Sequence, residues 1–346
     1  MQRVPKALAL LSGGLDSLLA ARVVRDLGVD VTGVTFDSGF FHLGAPGTRT
    51  DAAGSVHPWV ARAENVAAQA GVPLEIIDVS RDYLSMLLHP PHGYGAHVNP
   101  CIDCKILFLR RARQRLLELG GDFIITGEVA GQRPMSQNRS ALDVIERFSG
   151  CQDILLRPLS ALCLAPIRAE REGLIARERL LGFSGRTRKP QMALAEKLGI
   201  VEYAQPAGGC VLAEAHFAGR FADFRKHWEA DKKIGHEDIT RLRLGRHFRL
   251  ASGAKVIVGR SESENDWLEQ ARGEWGMAFP QTCKGPVGLL SHPEDAAGRE
   301  FLWRAVARYS DAPRGEVVAL EWHTTDGLQI VSASALSEET LLAVRI

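Results

Sequence analysis

The feature that most constrains this chain is a glycine-rich turn near its start, Leu-Ser-Gly-Gly-Leu-Asp-Ser at residues 11–17. An apolar run at 7–11 precedes the turn and predicts a buried strand, and the apolar-rich segment 18–27 after it predicts a helix. Glycines let the backbone approach a phosphate closely, and the first N–H groups of a helix point at it. The turn is therefore predicted to bind the phosphates of a nucleotide.

The carboxylate within this turn predicts a bridging metal ion, because Asp16 would otherwise repel the phosphates. No Gly-Lys-Ser/Thr is present, so the turn is not a Walker loop. It resembles the Ser-Gly-Gly-x-Asp-Ser loop of the PP-loop ATP pyrophosphatases, which cleave ATP between its α- and β-phosphates. The resemblance implies ATP and Mg²⁺ as cofactors, with Asp16 near the metal ion. The alternative is a tight strand-to-helix turn with two incidental glycines.

Apolar strands alternate with helical patterns through the first half of the chain. The predicted strands are 7–11, 31–36, 74–79, 123–126 and 154–156. This order predicts a doubly wound parallel α/β sheet, whose ligands bind at the carboxyl ends of the strands. The resemblance implies the adenine nucleotide alpha hydrolase-like version of that fold. The residues predicted to bind the nucleotide are Leu11, Ser12, Gly13, Gly14, Asp16, Ser17, Phe36 and Gly127.

The 346 residues are enough for two domains, each with its own core. A polar, charged segment at 228–238 marks the predicted boundary, and β-forming segments follow it. We therefore predict a first domain at 1–230 and a second, smaller α+β domain at 236–346. No run approaches the ~20 apolar residues of a membrane span. The start of the chain leaves no room for a signal peptide, so we expect a cytoplasmic protein without membrane contact.

Cysteines form the second informative pattern. Cys101 and Cys104 open a predicted helix after a loop rich in Pro, Gly and His, and Cys210 follows two glycines at 208–209 that predict a turn. Without a secretory signal, metal or redox chemistry is favoured over disulfides. A thioredoxin-like pair, a zinc knuckle and inert buried cysteines are the alternatives.

Three presented thiols beside a PP-loop resemble the tRNA thiolation enzymes of that family. The closer group has a Cys-x-x-Cys pair and a distant third cysteine that together hold a [4Fe–4S] cluster, with the fourth iron open to carry a sulfide. The resemblance implies that Cys101, Cys104 and Cys210 are the metal ligands, and that with Asp16 they are the catalytic residues. Glu128 replaces the His of the family's Thr-Gly-His segment. Its carboxylate either binds Mg²⁺ or is a solvated group on a loop, and the sequence does not decide between these two roles.

The second domain contains a cation-rich stretch at 241–260, followed by an Asn-bearing segment predicted as a loop at 261–266. It resembles the RNA-binding domain of NFACT proteins. The stretch holds cations and no acids: Arg241, Arg243, Arg246, Arg249, Lys255 and Arg260. Such a run predicts a stripe that contacts RNA phosphates. A dimerisation or structural module is the alternative.

Together these patterns predict an ATP-dependent tRNA sulfurtransferase. It would adenylate a uridine carbonyl and replace the oxygen by sulfur, with tRNA and a donor of sulfide or persulfide as partners. Two alternatives stay open. One is a PP-loop ligase or amidotransferase that uses a nitrogen nucleophile, and the other is a non-catalytic RNA-binding or ribosome-associated protein. The sequence leaves the thiolated position and a possible homodimer undecided.

Overall fold

The computed structural model describes residues 3–40, 50, 56–203, 210–228 and 234–346. By their internal contacts these residues form two compact units, Met1–Cys210 and Val211–Ile346. The domain boundary expected between residues 230 and 236 stays a prediction. Among the helices of the described ranges, none combines the length and apolar character that crossing a membrane requires.

The first unit is built on a parallel sheet of five strands in the order β3-β2-β1-β4-β5. The strands are β1 Lys6–Leu10, β2 Asp30–Asp37, β3 Leu74–Asp78, β4 Phe123–Ile125 and β5 Leu155–Leu156. The helices are α1 Leu15–Arg25, α2 Pro58–Ala70, α3 Ser80–Leu88, α4 Cys101–Glu118, α5 Arg139–Ser149, α6 Arg168–Arg171 and α7 Lys189–Lys197. The α/β class is confirmed.

Side chains of the central strand alternate between two apolar cores because successive residues of a strand point to opposite faces. Ala7 and Ala9 lie in the core that α1 and α2 cover, whereas Leu8 lies in the core that α4 and α5 cover. Both faces of the sheet are therefore buried, which is why its strands are almost continuously apolar.

The strand order changes direction between β1 and β4. The chain runs outward from β1 through β2 to β3, then returns to the other side of β1 to form β4 and β5. The connections that leave β1 and β4 diverge at this point, and the crevice between them is where open α/β sheets bind ligands. The glycine-rich turn follows β1, and Thr126–Gly127 follows β4, so both lie at this crevice.

The second unit contains a sheet of six antiparallel strands in the order β11-β10-β8-β9-β7-β6. The strands are β6 Arg246–Arg249, β7 Lys255–Val258, β8 Gly276–Pro280, β9 Gly288–Leu290, β10 Val317–Thr324 and β11 Gly327–Ser334. The helices are α8 Ala215–His227, α9 His236–Arg243, α10 Glu262–Gln270, α11 Ala296–Arg308 and α12 Glu338–Ala343. Leu302 and Val306 of α11 pack into the sheet core, confirming the α+β class.

The loop expected at 261–266 is instead the start of α10. Ser261 caps this helix by accepting a hydrogen bond from the Glu264 N–H at 3.3 Å, and Leu268 anchors it in the core. Asn265 is therefore a helical residue, whose side chain accepts a hydrogen bond from Val287 N–H at 3.0 Å.

Gly127 is required by a close backbone contact. A Cβ atom at this position would lie 2.4 Å from both the Asp16 carbonyl carbon and the Ser17 nitrogen in the first turn of α1. We expect Gly127→Ala to lower the free energy of unfolding of the first unit by about 2 kcal/mol or more, because backbone must move to admit the methyl group. Urea denaturation measures this change.

Gly219 supplies the matched control. It lies within α8, and a Cβ there would meet only Ile346, at 3.9 Å. Gly219→Ala should leave the protein as stable or make it more stable, since alanine is the better helix former. Equal stability of the wild type and the Gly127→Ala variant would contradict the close-contact argument.

Candidate active site

A pocket of about 270 Å³ lies at the crevice between β1 and β4. It is lined by residues from the glycine-rich turn, from α4 and from the segment after β4: Leu10, Ser12, Asp16, Ser17, Lys105, Phe108, Leu109, Thr126, Gly127, Glu128, Arg133 and Gln137. The structure thus brings Ser12, Asp16, Ser17 and Gly127 together, as the strand-end argument requires. Leu11, Gly13 and Gly14 complete the turn beside them.

The glycine-rich turn is held by its own hydroxyl groups. Gly13 has a φ of +76°, in the left-handed region that favours glycine, and lets the chain reverse into α1. Ser17 Oγ donates to the Gly14 carbonyl at 2.8 Å and accepts from the Ser12 N–H at 3.2 Å. Because the first N–H groups of a helix have no carbonyl partner within it, this rigid turn offers donors suited to an anion.

Asp16 is surrounded by amide and guanidinium groups that the sequence analysis did not identify. Gln132 Nε2 donates to Asp16 Oδ2 at 2.9 Å, and Arg188 lies 3.5 Å from the same oxygen. Gln191 Nε2 in turn donates to Gln132 Oε1 at 3.2 Å. The other carboxylate oxygen, Asp16 Oδ1, is buried and has no hydrogen-bond partner within the described residues.

Glu128 is neither solvated nor available as a metal ligand. Lys105 Nζ donates to Oε1, and Arg157 Nε donates to Oε2 at 2.8 Å. Burial by itself would raise the pKa of Glu128, but the charges of Lys105 and Arg157 and their hydrogen bonds hold it at about 2. Arg157 also pairs with Glu146 of α5. The carboxylate therefore ties α4, the end of β4 and the end of β5 into one buried network.

The three predicted cysteines converge around Tyr83 of α3. Burial raises the pKa of the Cys104 thiol to about 12, the Tyr83 hydrogen bond lowers it, and the charges of Cys101 and Cys210 raise it again. Cys101 and Cys210 therefore both lie close enough to Cys104 for their charges to act on its thiol. In this arrangement Cys104 is protonated at neutral pH.

The convergence of the thiols is not a metal site as it stands. Within the part of the chain that the structure describes, no three or more His, Cys, Asp or Glu side chains are arranged to hold a metal ion. The predicted turn at 206–209, which would present Cys210, lies outside the described residues.

Helix α4 connects the thiols to the pocket. Its first turn contains Cys101 and Cys104, whereas Lys105 and Phe108 line the pocket. Residues four apart lie on the same face of a helix, so Cys104 and Phe108 share one face. Phe36 stacks on Phe108 with ring centroids 5.2 Å apart and is itself buried in the core.

Several site residues have only a weak signal in the sequence. Arg157 is a charged residue directly after a buried strand, a position where unpaired charge is costly and a function or a partner is expected. Lys105 reads in the sequence as one of several cations on α4. Two other cations of α4 form ion pairs elsewhere on the protein: Arg111 pairs with Asp82, and Arg115 pairs with Glu75 at 2.7 Å.

The cation-rich stretch of the second unit does not form the expected exposed stripe. Arg249 and Lys255 each lie 2.7 Å from Asp223 of α8. The other pairings are Arg241 with Asp238, Arg246 with the Tyr309 ring, and Arg260 with Glu264. The linear stretch lacks acids, but the fold supplies them from α8, α9 and α10.

Comparison with known families assigns both units. Residues 5–156 match the tRNA methyl transferase HUP domain, and residues 245–343 match the NFACT protein RNA binding domain. The first match covers most of the first unit, and the second match covers most of the second unit. The resemblance drawn from the sequence is confirmed for both domains.

Individual relatives match part of the first unit. The chain is 30% identical to the tRNA-specific 2-thiouridylase MnmA of Roseiflexus sp. (strain RS-1) over 131 residues, 36% of this chain and 34% of that protein. It is 34% identical to the enzyme of the same name from Tropheryma whipplei (strain Twist), with the same coverage. The chain thus spans about a third of the length of these curated relatives. A solved 4-thiouridine synthetase–RNA complex with bound ATP is 20% identical, with a TM-score of 0.35 over 57% of this chain and 52% of that chain.

The buried network gives a test through pH. Glu128→Gln should lower the free energy of unfolding by about 3 kcal/mol at pH 7, because Lys105 and Arg157 would lose their shared carboxylate. The folded pKa of about 2 lies below the ordinary 4.5, so this stabilisation is complete above about pH 4.5 and is lost as the pH falls towards 2. The difference in free energy of unfolding between the wild type and the variant, measured by urea denaturation, should therefore decrease as the pH falls from about 4.5 towards 2.

Glu118 is the control for this comparison. It pairs with Arg115 but is about half exposed, so Glu118→Gln should change stability by at most about 0.5 kcal/mol. If Glu128→Gln changed the free energy of unfolding by no more than Glu118→Gln does, the buried network would not be a stabilising element.

Proposed function

We propose that this protein is an ATP-dependent tRNA sulfurtransferase. The observation that carries the proposal is the position of α4, whose first turn contains Cys101 and Cys104 and whose next turn lines the pocket. With a rise of 1.5 Å per residue, Cys101 and Lys105 are about 6 Å apart along the helix axis. Sulfur chemistry and nucleotide chemistry would thus meet on one helix.

The reaction that suits this arrangement has two steps. The oxygen of a uracil carbonyl is a poor leaving group, so it attacks the α-phosphate of ATP, and pyrophosphate leaves. A sulfur nucleophile then displaces AMP from the activated carbon. The turn at Ser12–Ser17 would bind the pyrophosphate portion, where charge builds up as the bond breaks.

Asp16 would hold Mg²⁺ in this scheme. Its buried Oδ1 has no hydrogen-bond partner in the described ranges, and a carboxylate oxygen is a preferred ligand of this ion. Bound there, Mg²⁺ would offset the phosphate charge. Gln132 and Arg188 fix the other oxygen of the carboxylate and so set its direction.

The sulfur would be handled by Cys101, Cys104 and Cys210. The proximity of Cys101 and Cys210 to Cys104, and of all three to Tyr83, supports one shared centre. Their present arrangement does not fit a preformed [4Fe–4S] cluster, and we propose no step through one. A persulfide on one of the three cysteines is the form that the thiol set supports: a persulfide donor would transfer its outer sulfur to the cysteine and leave as a thiol. After that sulfur has displaced AMP, a second cysteine of the set would attack the S–S bond, and an external thiol would reduce the resulting disulfide.

The partner in this proposal is tRNA. Two observations support it: the MnmA relatives of the first unit are named as tRNA-specific enzymes, and the second unit carries an RNA-binding domain. Mass spectrometry of tRNA nucleosides from a deletion strain tests the proposal directly. Loss of one thiolated uridine is expected, and an unchanged nucleoside profile would refute it.

Asp16→Asn tests the nucleotide half of the site. The substitution removes the charge that would hold Mg²⁺, so tRNA-dependent pyrophosphate release should fall at least about 100-fold. Asp26→Asn is the control, because Asp26 lies at the other end of α1 and pairs with Arg22 and Arg25. Full turnover by the Asp16 variant would remove the basis for an ATP site here.

Substitution of the cysteines tests the sulfur half. Cys101→Ser, Cys104→Ser and Cys210→Ser should each lower thiolation at least about 1,000-fold, because the nucleophile is lost, while pyrophosphate release persists. Cys163→Ser is the control, since this exposed thiol donates to the Gly182 carbonyl at 3.3 Å and does not line the pocket. Full activity of all three variants would favour the nitrogen-nucleophile alternative.

Analysis of protein purified without oxygen separates the two sulfur carriers. Sulfur released by dithiothreitol, without iron, supports the persulfide. About four iron atoms per chain would instead restore the cluster predicted by resemblance.

A further inference from the structure

A second pocket, of about 320 Å³, lies within the second unit. Its wall combines indole rings with basic side chains: Trp228, Trp275, Arg241, His247, Arg249 and Lys255. Aromatic surface beside cations is the composition of sites that bind single-stranded nucleic acid, where bases stack on the rings and phosphates meet the cations.

His247 contributes a hydrogen-bond acceptor to this wall. The residue is 1% exposed, and its Nε2 lies 2.7 Å from the Leu244 carbonyl oxygen, so Nε2 must carry the hydrogen. Burial lowers the pKa of His247 well below its ordinary value, and the charges of Lys255 and Arg220 lower it further. The ring is therefore neutral, and Nδ1 is an acceptor for which the described part of the chain supplies no donor.

Arg241 contributes the complementary donor. Its guanidinium carbon lies 4.7 Å from the centroid of the Trp275 ring. Nη1 donates to the Ala271 carbonyl at 2.6 Å, and Nη2 donates to Asp238 at 2.8 Å. Its Nε–H has no acceptor among the residues described. One pocket thus contains a buried donor and a buried acceptor that both lack partners in the described ranges, which is rare because such groups are costly to leave unpaired.

The charges around the pocket favour an anionic ligand. Arg249 and Lys255 share the carboxylate of Asp223, and Arg241 pairs with Asp238. Three cations thus face two carboxylates. The ion pairs also hold the basic groups in fixed positions, so a phosphate that approached them would find an ordered site.

We infer that this pocket binds one unstacked RNA nucleotide. The base would stack beside Trp275 and satisfy His247 Nδ1 and Arg241 Nε, since a nucleobase edge presents a donor next to an acceptor. The phosphate would meet Arg249 and Lys255. The inference rests on the proposed RNA-binding role of the second unit and names the contact through which that role is carried out.

The test uses the full chain and a fluorescently labelled single-stranded RNA of about ten nucleotides. Trp275→Leu removes the stacking surface, and His247→Gln keeps an amide that can reach the Leu244 carbonyl while removing Nδ1. Each should weaken RNA binding about tenfold in fluorescence anisotropy. Trp267→Leu is the matched control, because this tryptophan of α10 does not line the pocket; its RNA affinity should equal that of the wild type.

An abasic RNA of the same length separates base recognition from attraction to phosphate. It keeps every phosphate, so it should bind more weakly than intact RNA and should not respond to Trp275→Leu. Equal binding of abasic and intact RNA would overturn the inference, as would unchanged affinity in both pocket variants when circular dichroism shows them folded. Those outcomes leave the sulfurtransferase proposal standing, since tRNA thiolation is measured separately. Absence of RNA binding by the wild type would overturn the inference and the proposed tRNA partner together.

Discussion

The carboxylate of Glu128 is shared by Lys105 and Arg157, and the arrangement of the candidate active site depends on this buried network. Lys105 belongs to α4, Glu128 follows β4, and Arg157 follows β5 and reaches Glu146 on α5. Removing Glu128 would leave Lys105 without its carboxylate and Arg157 with Glu146 alone, a larger penalty than the loss of a surface ion pair. The network therefore fixes the helix that carries the cysteines against the strand ends that form the pocket.

The strand order sets where this network can act. Because the chain leaves β1 and β4 in opposite directions, a crevice opens between them, and Gly127 lets the backbone after β4 approach the first turn of α1. The glycine-rich turn and the wall of α4 face the same crevice. The proposed reaction, which activates a carbonyl with ATP and then delivers sulfur, needs both of these elements at one place.

The second unit shows how charge read along a sequence differs from charge in a fold. The stretch from Arg241 to Arg260 contains no acid, yet Asp223, Asp238 and Glu264 pair with four of its six cations. These carboxylates lie just outside the stretch or on α8, and burial favours such pairing because an unpaired cation is costly to desolvate. What the pairing leaves is a pocket, in which His247 Nδ1 and Arg241 Nε have no partner among the described residues, rather than an exposed stripe.

The sequence by itself determined the class of both folds, the strands of the first unit and the position of the glycine-rich turn. These follow from local patterns: apolar runs of strand length, helical periodicity, and glycines between a strand and a helix. It also singled out Cys101, Cys104 and Cys210. Only the tertiary structure decided that Glu128 is buried in an ion-pair network, that Gln132 and Arg188 orient Asp16, and that His247 and Arg241 meet in one pocket. The contacts of Glu128 and Asp16 join residues far apart in the chain, and the energies of all these groups depend on burial, which no local pattern of residues records.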